Sequence, residues 1–221
     1  MKQFFDAIAR RYDRDYALHG EASRARLASM SKAIEGKRRV LSLGLGTGRE
    51  LPALLDAGHE VQGIEHSPAM IAECNKRSRT VPIVEGDFYL PLPFADASFD
   101  AVIALHGTLA HPPHEGAHRD LAKELARILV PTGLFYAEVP AAEGLARLGV
   151  IATSARTFIH RDPTTNLEVE GVALTADEWR TAFTPHLEIT ATPLSNVEHV
   201  IHGTPTTRGA WAPPPSATPQ K

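Results

Sequence analysis

The chain has little cysteine: Cys74 is the only one in 221 residues, which excludes an internal disulfide and suits a reducing compartment. No apolar run reaches membrane-spanning length, and the start, Met1-Lys2-Gln3-Phe4-Phe5-Asp6, lacks the apolar stretch of a secretory signal. No membrane partner is expected, and the expected location is cytoplasmic. Charge of one sign is also missing, since 23 Lys and Arg are interspersed with 26 Asp and Glu for a net charge of −3. Phosphate backbones are bound through a positive field, so no nucleic-acid partner is expected. There is no internal repeat. What is present, 43% hydrophobic residues, suffices to bury one substantial α/β core.

The most informative stretch is Val40-Leu41-Ser42-Leu43-Gly44-Leu45-Gly46-Thr47-Gly48-Arg49-Glu50, followed at Val61–Glu65 by a second apolar run ending in a carboxylate. A strand-length apolar run that meets closely spaced glycines predicts a sharp turn exposing backbone N–H groups at the start of a helix. Glu65 then falls where a carboxylate ending the next parallel strand would accept hydrogen bonds from ribose hydroxyls. A pyrophosphate-binding turn has the spacing G-x-G-x-x-G, whereas here Arg49 stands at the third glycine position. That counts against a nicotinamide-dependent oxidoreductase.

Strand and helix periodicities alternate along the chain, predicting an α/β fold with a doubly wound, mostly parallel sheet and helices on both faces. Residues 21–35 read as a helix ending at Gly36, Ser67-Pro68 as a helix start, and Leu121, Leu125, Ile128 and Leu129 as a helical stripe that packs on the sheet. Thr175 and Glu178 form a capping box for a helix over Ala176–Phe183. Arg156–His160 and Leu167–Ala173 read as a hairpin around Asp162-Pro163-Thr164-Thr165-Asn166.

The glycine spacing and Glu65 resemble the class I S-adenosylmethionine (SAM)-dependent methyltransferases. Gly86-Asp87-Phe88 is similar to the family segment whose acid takes the adenine amino group. Phe94–Ile103 and Ala122–Phe135 are similar to its fourth strand and to the following helix, Pro-Gly turn and fifth strand. The resemblance covers residues 40–139 closely, with Ser42 standing where many members carry an acid. It implies a Rossmann-like, seven-stranded sheet closed by an antiparallel strand, into which the runs Leu187–Thr192 and Val197–His202 fit. Residues 1–203 are expected to form one domain. Within it, 1–36 would be a helical cap, in which Phe4–Asp13 resembles the N-terminal segment of quinone-biosynthesis-type methyltransferases, and 141–174 an insertion covering the substrate. Residues 204–221 read as a disordered proline-rich tail.

The implied cofactor is SAM, with Tyr12, Gly44, Leu45, Gly46, Glu65, His66, Gly86, Asp87, Phe88 and Leu105 as its contacts. Tyr12 reads equally as a core aromatic. The implied reaction is in-line methyl transfer to a small-molecule N, O, S or C nucleophile. The asparagine- or aspartate-Pro-Pro-aromatic signature of many amino- and nucleobase-methylating relatives is absent. A homodimer is left open, as is a catalytically silent SAM-binding partner subunit.

His106, His111, His114 and His118 crowd the segment after the fourth strand, at the carboxyl end where such sheets bind ligands. Their spacing matches no zinc pattern and Pro112-Pro113 interrupts any helix that would align them, so no metal is expected and a metal-dependent hydrolase is the weaker reading. His114 and His118 are expected in a solvated loop and helix start. His106 and His111 are the candidate catalytic residues, since a neutral imidazole can take a proton from the nucleophile.

Overall fold

The computed structural model describes residues 1–16, 20–77 and 81–206. In chain order the elements are α1 (Lys2–Ile8), a 3-10 turn (Ala9–Arg11), α2 (Tyr12–Tyr16), α3 (Gly20–Ala33), β1 (Arg39–Leu43), α4 (Leu51–Asp56), β2 (Glu60–Glu65), α5 (Pro68–Arg77), β3 (Ile83–Glu85) and β4 (Phe99–Ala104). After these come α6 (Ala117–Ile128), β5 (Leu129–Pro140), β6 (Ile151–Ala152), β7 (Thr157–Arg161), β8 (Glu168–Val172), α7 (Ala176–Phe183), β9 (Leu187–Pro193) and β10 (Glu198–Pro205).

The main sheet has seven strands in the order β3-β2-β1-β4-β5-β10-β9. β10 runs antiparallel to both neighbours, while β1 to β5 pair in parallel. Strand alternation sends Leu41, Leu43, Val102, Ala104, Phe135 and Ala137 to one face, where they meet α6 and α7 through Leu121, Leu125, Trp179 and Phe183. Val40, Ala101, Ile103 and Tyr136 go to the other face, against Met30 and Ile34 of the α3 region and Leu51 and Leu54 of α4. Both faces are thus covered, as buried parallel strands require.

Local signals set the helix ends. The Ser67 side chain caps α5 by accepting from Met70 N–H at 3.1 Å, and Thr175 and Glu178 form the reciprocal capping box of α7. The expected hairpin forms, with Thr157 opposite Val172 through Arg161 opposite Glu168. The sequence did not signal β6, which adds to β7 and makes the insertion a separate three-stranded sheet. β10 runs through Thr204 and Pro205 because it keeps pairing with β9 to Leu187, so the folded unit passes the expected boundary at 203. The expectation of disorder for 207–221 lies outside the described residues. None of the described helices is long and apolar enough to cross a membrane.

Candidate functional site

The glycine turn leaves β1 with Gly44, Gly46 and Gly48 all left-handed, at φ +58°, +59° and +67°. Each glycine has its own reason. A Cβ on Gly44 would lie 2.6 Å from Thr108 Cγ2 and one on Gly48 2.5 Å from Cys74 Sγ, whereas one on Gly46 would meet nothing nearer than 3.9 Å. Gly44 and Gly48 therefore serve packing as well as conformation, and Gly46 keeps open space beside the turn. The Glu65 carboxylate, at the end of β2, locks this turn. Oε2 accepts from Gly46 N–H at 2.9 Å and Oε1 from Ser67 N–H at 2.8 Å. It is 5% exposed, yet each oxygen keeps acceptor capacity for a ligand.

Glu65 opens on a cavity of about 410 Å³, within the usual range for small-molecule sites. Gly44, Gly46, Glu65, His66, Tyr12 and Phe88 line it, together with both candidate bases, His106 and His111. The other expected contacts sit differently. Leu45 packs into the core, where it fills the space a side chain at Gly63 would need. Leu105 lines a smaller adjoining cavity of about 230 Å³. Gly86 donates its N–H to the Glu65 carbonyl at 2.9 Å, which brings Asp87 beside the site without making it part of the wall. Asp87 Oδ1 instead caps its own turn, accepting from Tyr89 N–H at 2.9 Å. Tyr12 stacks on Tyr16 with centroids 5.4 Å apart, and the Arg49 guanidinium lies 5.4 Å from its ring centroid.

The two candidate bases differ. His106 is left-handed at φ 55°, its N–H donates to Glu138 Oε2 at 3.0 Å, and its Nε2 lies 2.5 Å from Glu50 Oε1. Glu138 is also bound by Arg26 at 2.8 Å, and Arg26 pairs in turn with Glu198. His106 is thus engaged in a charge network. His111 has Nδ1 2.6 Å from the carbonyl oxygen of Glu170 on β8. A carbonyl only accepts, so Nδ1 carries the proton and Nε2 the lone pair. Burial holds its pKa below the ordinary 6.5, keeping the ring neutral near pH 7.

His114 is exposed, as expected of a loop. His118 is not: its Nε2 lies 2.8 Å from the Leu109 carbonyl oxygen and its ring packs 5.0 Å from Trp179. It sits on the inward face of α6, which corrects its expected solvated placement. Among the described residues no group of three or more His, Cys, Asp or Glu side chains could hold a metal ion.

The sequence reading missed His160, Glu50, Glu138 and Arg26. Alternation along the hairpin, which puts His160 on the same face as Phe158, was the available signal for the first. The carboxylates and Arg26 carry none, because their meeting depends on how the start of α4, the end of β5 and α3 come together around His106.

The cavity is roofed from two sides. Phe4, Phe5 and Ile8 of α1 come from one, and His160 and Val169 of the insertion from the other. Asp6 ties α1 to the start of α5, accepting from Ser67 Oγ at 2.6 Å, and Asp13 ties α2 to the glycine turn, accepting from Thr47 Oγ1 at 2.6 Å.

A doubly wound sheet with a glycine turn and a carboxylate ending β2 defines a Rossmann-like nucleotide-cofactor protein. Residues 41–137 match the family model described as methyltransferase domain. The demethylmenaquinone methyltransferase of Beutenbergia cavernae is 39% identical over 106 residues, 47% of this chain and 44% of that protein. The 18S rRNA (guanine-N(7))-methyltransferase of Bos taurus is 39% identical over 66 residues, 30% of this chain and 24% of that one. The matches thus span less than half the length of these curated relatives. In structure, the DhpI–SAM–HEP complex superposes with a TM-score of 0.74 over 92% of this chain and 95% of that one, at 17% identity. The chain is thus similar to methyltransferases over residues 41–137, and its whole fold is similar to that of a SAM-bound neighbour.

Proposed function

We propose that the chain transfers the methyl group of SAM to a small molecule held between the glycine turn, α1 and the β7–β8 hairpin. The observation that carries this is the Glu65 carboxylate, fixed by Gly46 and Ser67 N–H at the cavity wall. It supports a ribose contact, with Gly44, Gly46, Tyr12, His66 and Phe88 as the remaining wall. A bound SAM supplies an electrophilic sulfonium methyl. Gly46 suits such a ligand because the space beside it would be lost to a side chain.

The chain's own residues then position the acceptor. Fixing a nucleophile in line with the breaking bond contributes about 7–11 kcal/mol, whereas a general base adds roughly 10²–10⁴-fold. For a hydroxyl or a comparably weak acid, His111 Nε2 would accept the proton of the acceptor atom, and SAM bound against Glu65 and the glycine turn would supply the methyl group. The cavity's size and its apolar wall of Phe4, Phe5, Ile8 and Val169 favour a small molecule over a polynucleotide. Screening small-molecule extracts with methyl-labelled SAM tests this reading: label should enter a low-molecular-mass product. Binding of SAM without any transfer to extract or RNA would favour the silent-subunit alternative.

A further inference from the structure

We infer that Asp162 is a positioning residue that joins the N-terminal cap and the hairpin into one lid, so that the roof over the cavity and the orientation of His111 depend on a single buried carboxylate. This rests on the reading of the cavity as the methyl-transfer site. Asp162 stands at the hairpin tip, 151 positions from Arg11 in sequence, and none of its surface is exposed. Its Oδ2 accepts from Arg11 Nη2 at 2.5 Å and its Oδ1 from Tyr16 O–H at 3.0 Å. Thr165 turns the tip back onto the same carboxylate through its N–H at 2.7 Å and Oγ1 at 2.6 Å. The ring of His160 fills the space beneath, 5.5 Å from Phe4 and 5.4 Å from Tyr16.

The cap is independently held to the core by Asp6 and Asp13, and the hairpin root by the bridge between Ala141 and Leu174. The hairpin is therefore a strap fixed at its root and fastened at its tip by Asp162. Midway along it lies Glu170, whose carbonyl orients His111. Lifting the strap removes that acceptor, opens the roof and frees the imidazole together. Cofactor and acceptor exchange then require Asp162 to let go. Thr165 stays with Asp162 when the strap lifts, so the contacts broken at the tip are those to Arg11 and Tyr16.

Amide hydrogen exchange of the protein alone tests the joint without any assumption about the cofactor. In Asp162→Asn, segment 157–172 should exchange at least tenfold faster, and segment 2–16, still held by Asp6 and Asp13, should gain less, while β1, β4 and β5 keep their protection. Tyr16→Phe, which removes one donor and keeps the ring, should give a smaller increase in the same two segments. Unchanged exchange in both segments, or loss of protection throughout the sheet with Tyr16→Phe as well, overturns the proposal. Release of S-adenosylhomocysteine, followed by chase with unlabelled compound, should accelerate tenfold or more in Asp162→Asn. Arg11→Gln combined with Asp162→Asn should add little further, because both act on one contact. Additive effects of the pair overturn the joint. A wild-type protein that binds no S-adenosylhomocysteine overturns the methyltransferase reading instead, and the exchange result still decides the joint.

Discussion

His111 and Glu170, 59 positions apart, share one hydrogen bond: Nδ1–H of the imidazole donates to the Glu170 carbonyl at 2.6 Å. That bond sets the tautomer, leaves Nε2 as the acceptor atom and couples the ring to the hairpin. Because burial lowers the His111 pKa below 6.5, the base is neutral and competent through neutral pH and is lost only as pH falls below that. For a hydroxyl acceptor, kcat should show an acidic limb with its midpoint under 6.5. His111→Gln should reduce kcat by roughly 10²-fold or more and abolish the limb, with SAM affinity intact. A limb that survives the substitution assigns His111 to substrate positioning.

His106→Asn should behave differently. Asparagine tolerates the left-handed backbone, but Glu50 loses the partner that lowers its pKa. The expected outcome is a melting temperature lowered by an amount corresponding to about 1–3 kcal/mol, with the acidic limb unchanged. Thermal unfolding and a pH–rate profile on the same variant check both halves.

Stability itself should fall on mild acidification. His111, His118 and His160 all have pKa values lowered by burial, so the unfolded chain binds protons more readily than the folded one. Stability then rises with pH across that interval. It is fully present above about 6.5 and is lost as pH drops from there toward the folded pKa values. Urea midpoints at pH 7.5 and 5.5 should differ, and the difference should shrink in His118→Gln.

Two of the turn's three glycines should separate binding from folding. Gly46→Ala forces a left-handed alanine, costing about 1–2 kcal/mol, and puts a methyl into the open space of the cofactor wall, so SAM affinity should drop more than stability does. Gly48→Ala adds a clash with Cys74 Sγ and Leu51, for about 1–3 kcal/mol of overpacking on top of the strain. Stability should suffer there first. Calorimetry beside thermal unfolding separates the two.

The main sheet and the hairpin were readable in the sequence because their signals are local: glycines after Leu43, Ser67 before Pro68 and the Thr175 and Glu178 box for the one, and alternation for the other. The candidate site was readable where it lies on strand ends, as with Gly46 and Glu65. It was not readable where residues from distant elements meet. His106 looked free because Glu50 and Glu138 are 56 and 32 positions away. His118 looked solvated because Trp179 and Phe183, which cover it, belong to another helix. Asp162 read as a turn residue, and only the return of α1 and α2 across the cavity gives its carboxylate Arg11 and Tyr16.

The central claim, that Glu65 and the glycine turn form a SAM site, is tested most directly by titration calorimetry of SAM into the wild-type protein and Glu65→Ala, with NAD as the control ligand. Wild type should bind SAM and not NAD, and the variant should remain folded and lose about 1.5–3 kcal/mol of affinity through the missing charged acceptor. Equal SAM affinity in the two proteins, or tighter binding of NAD than of SAM, would contradict the account.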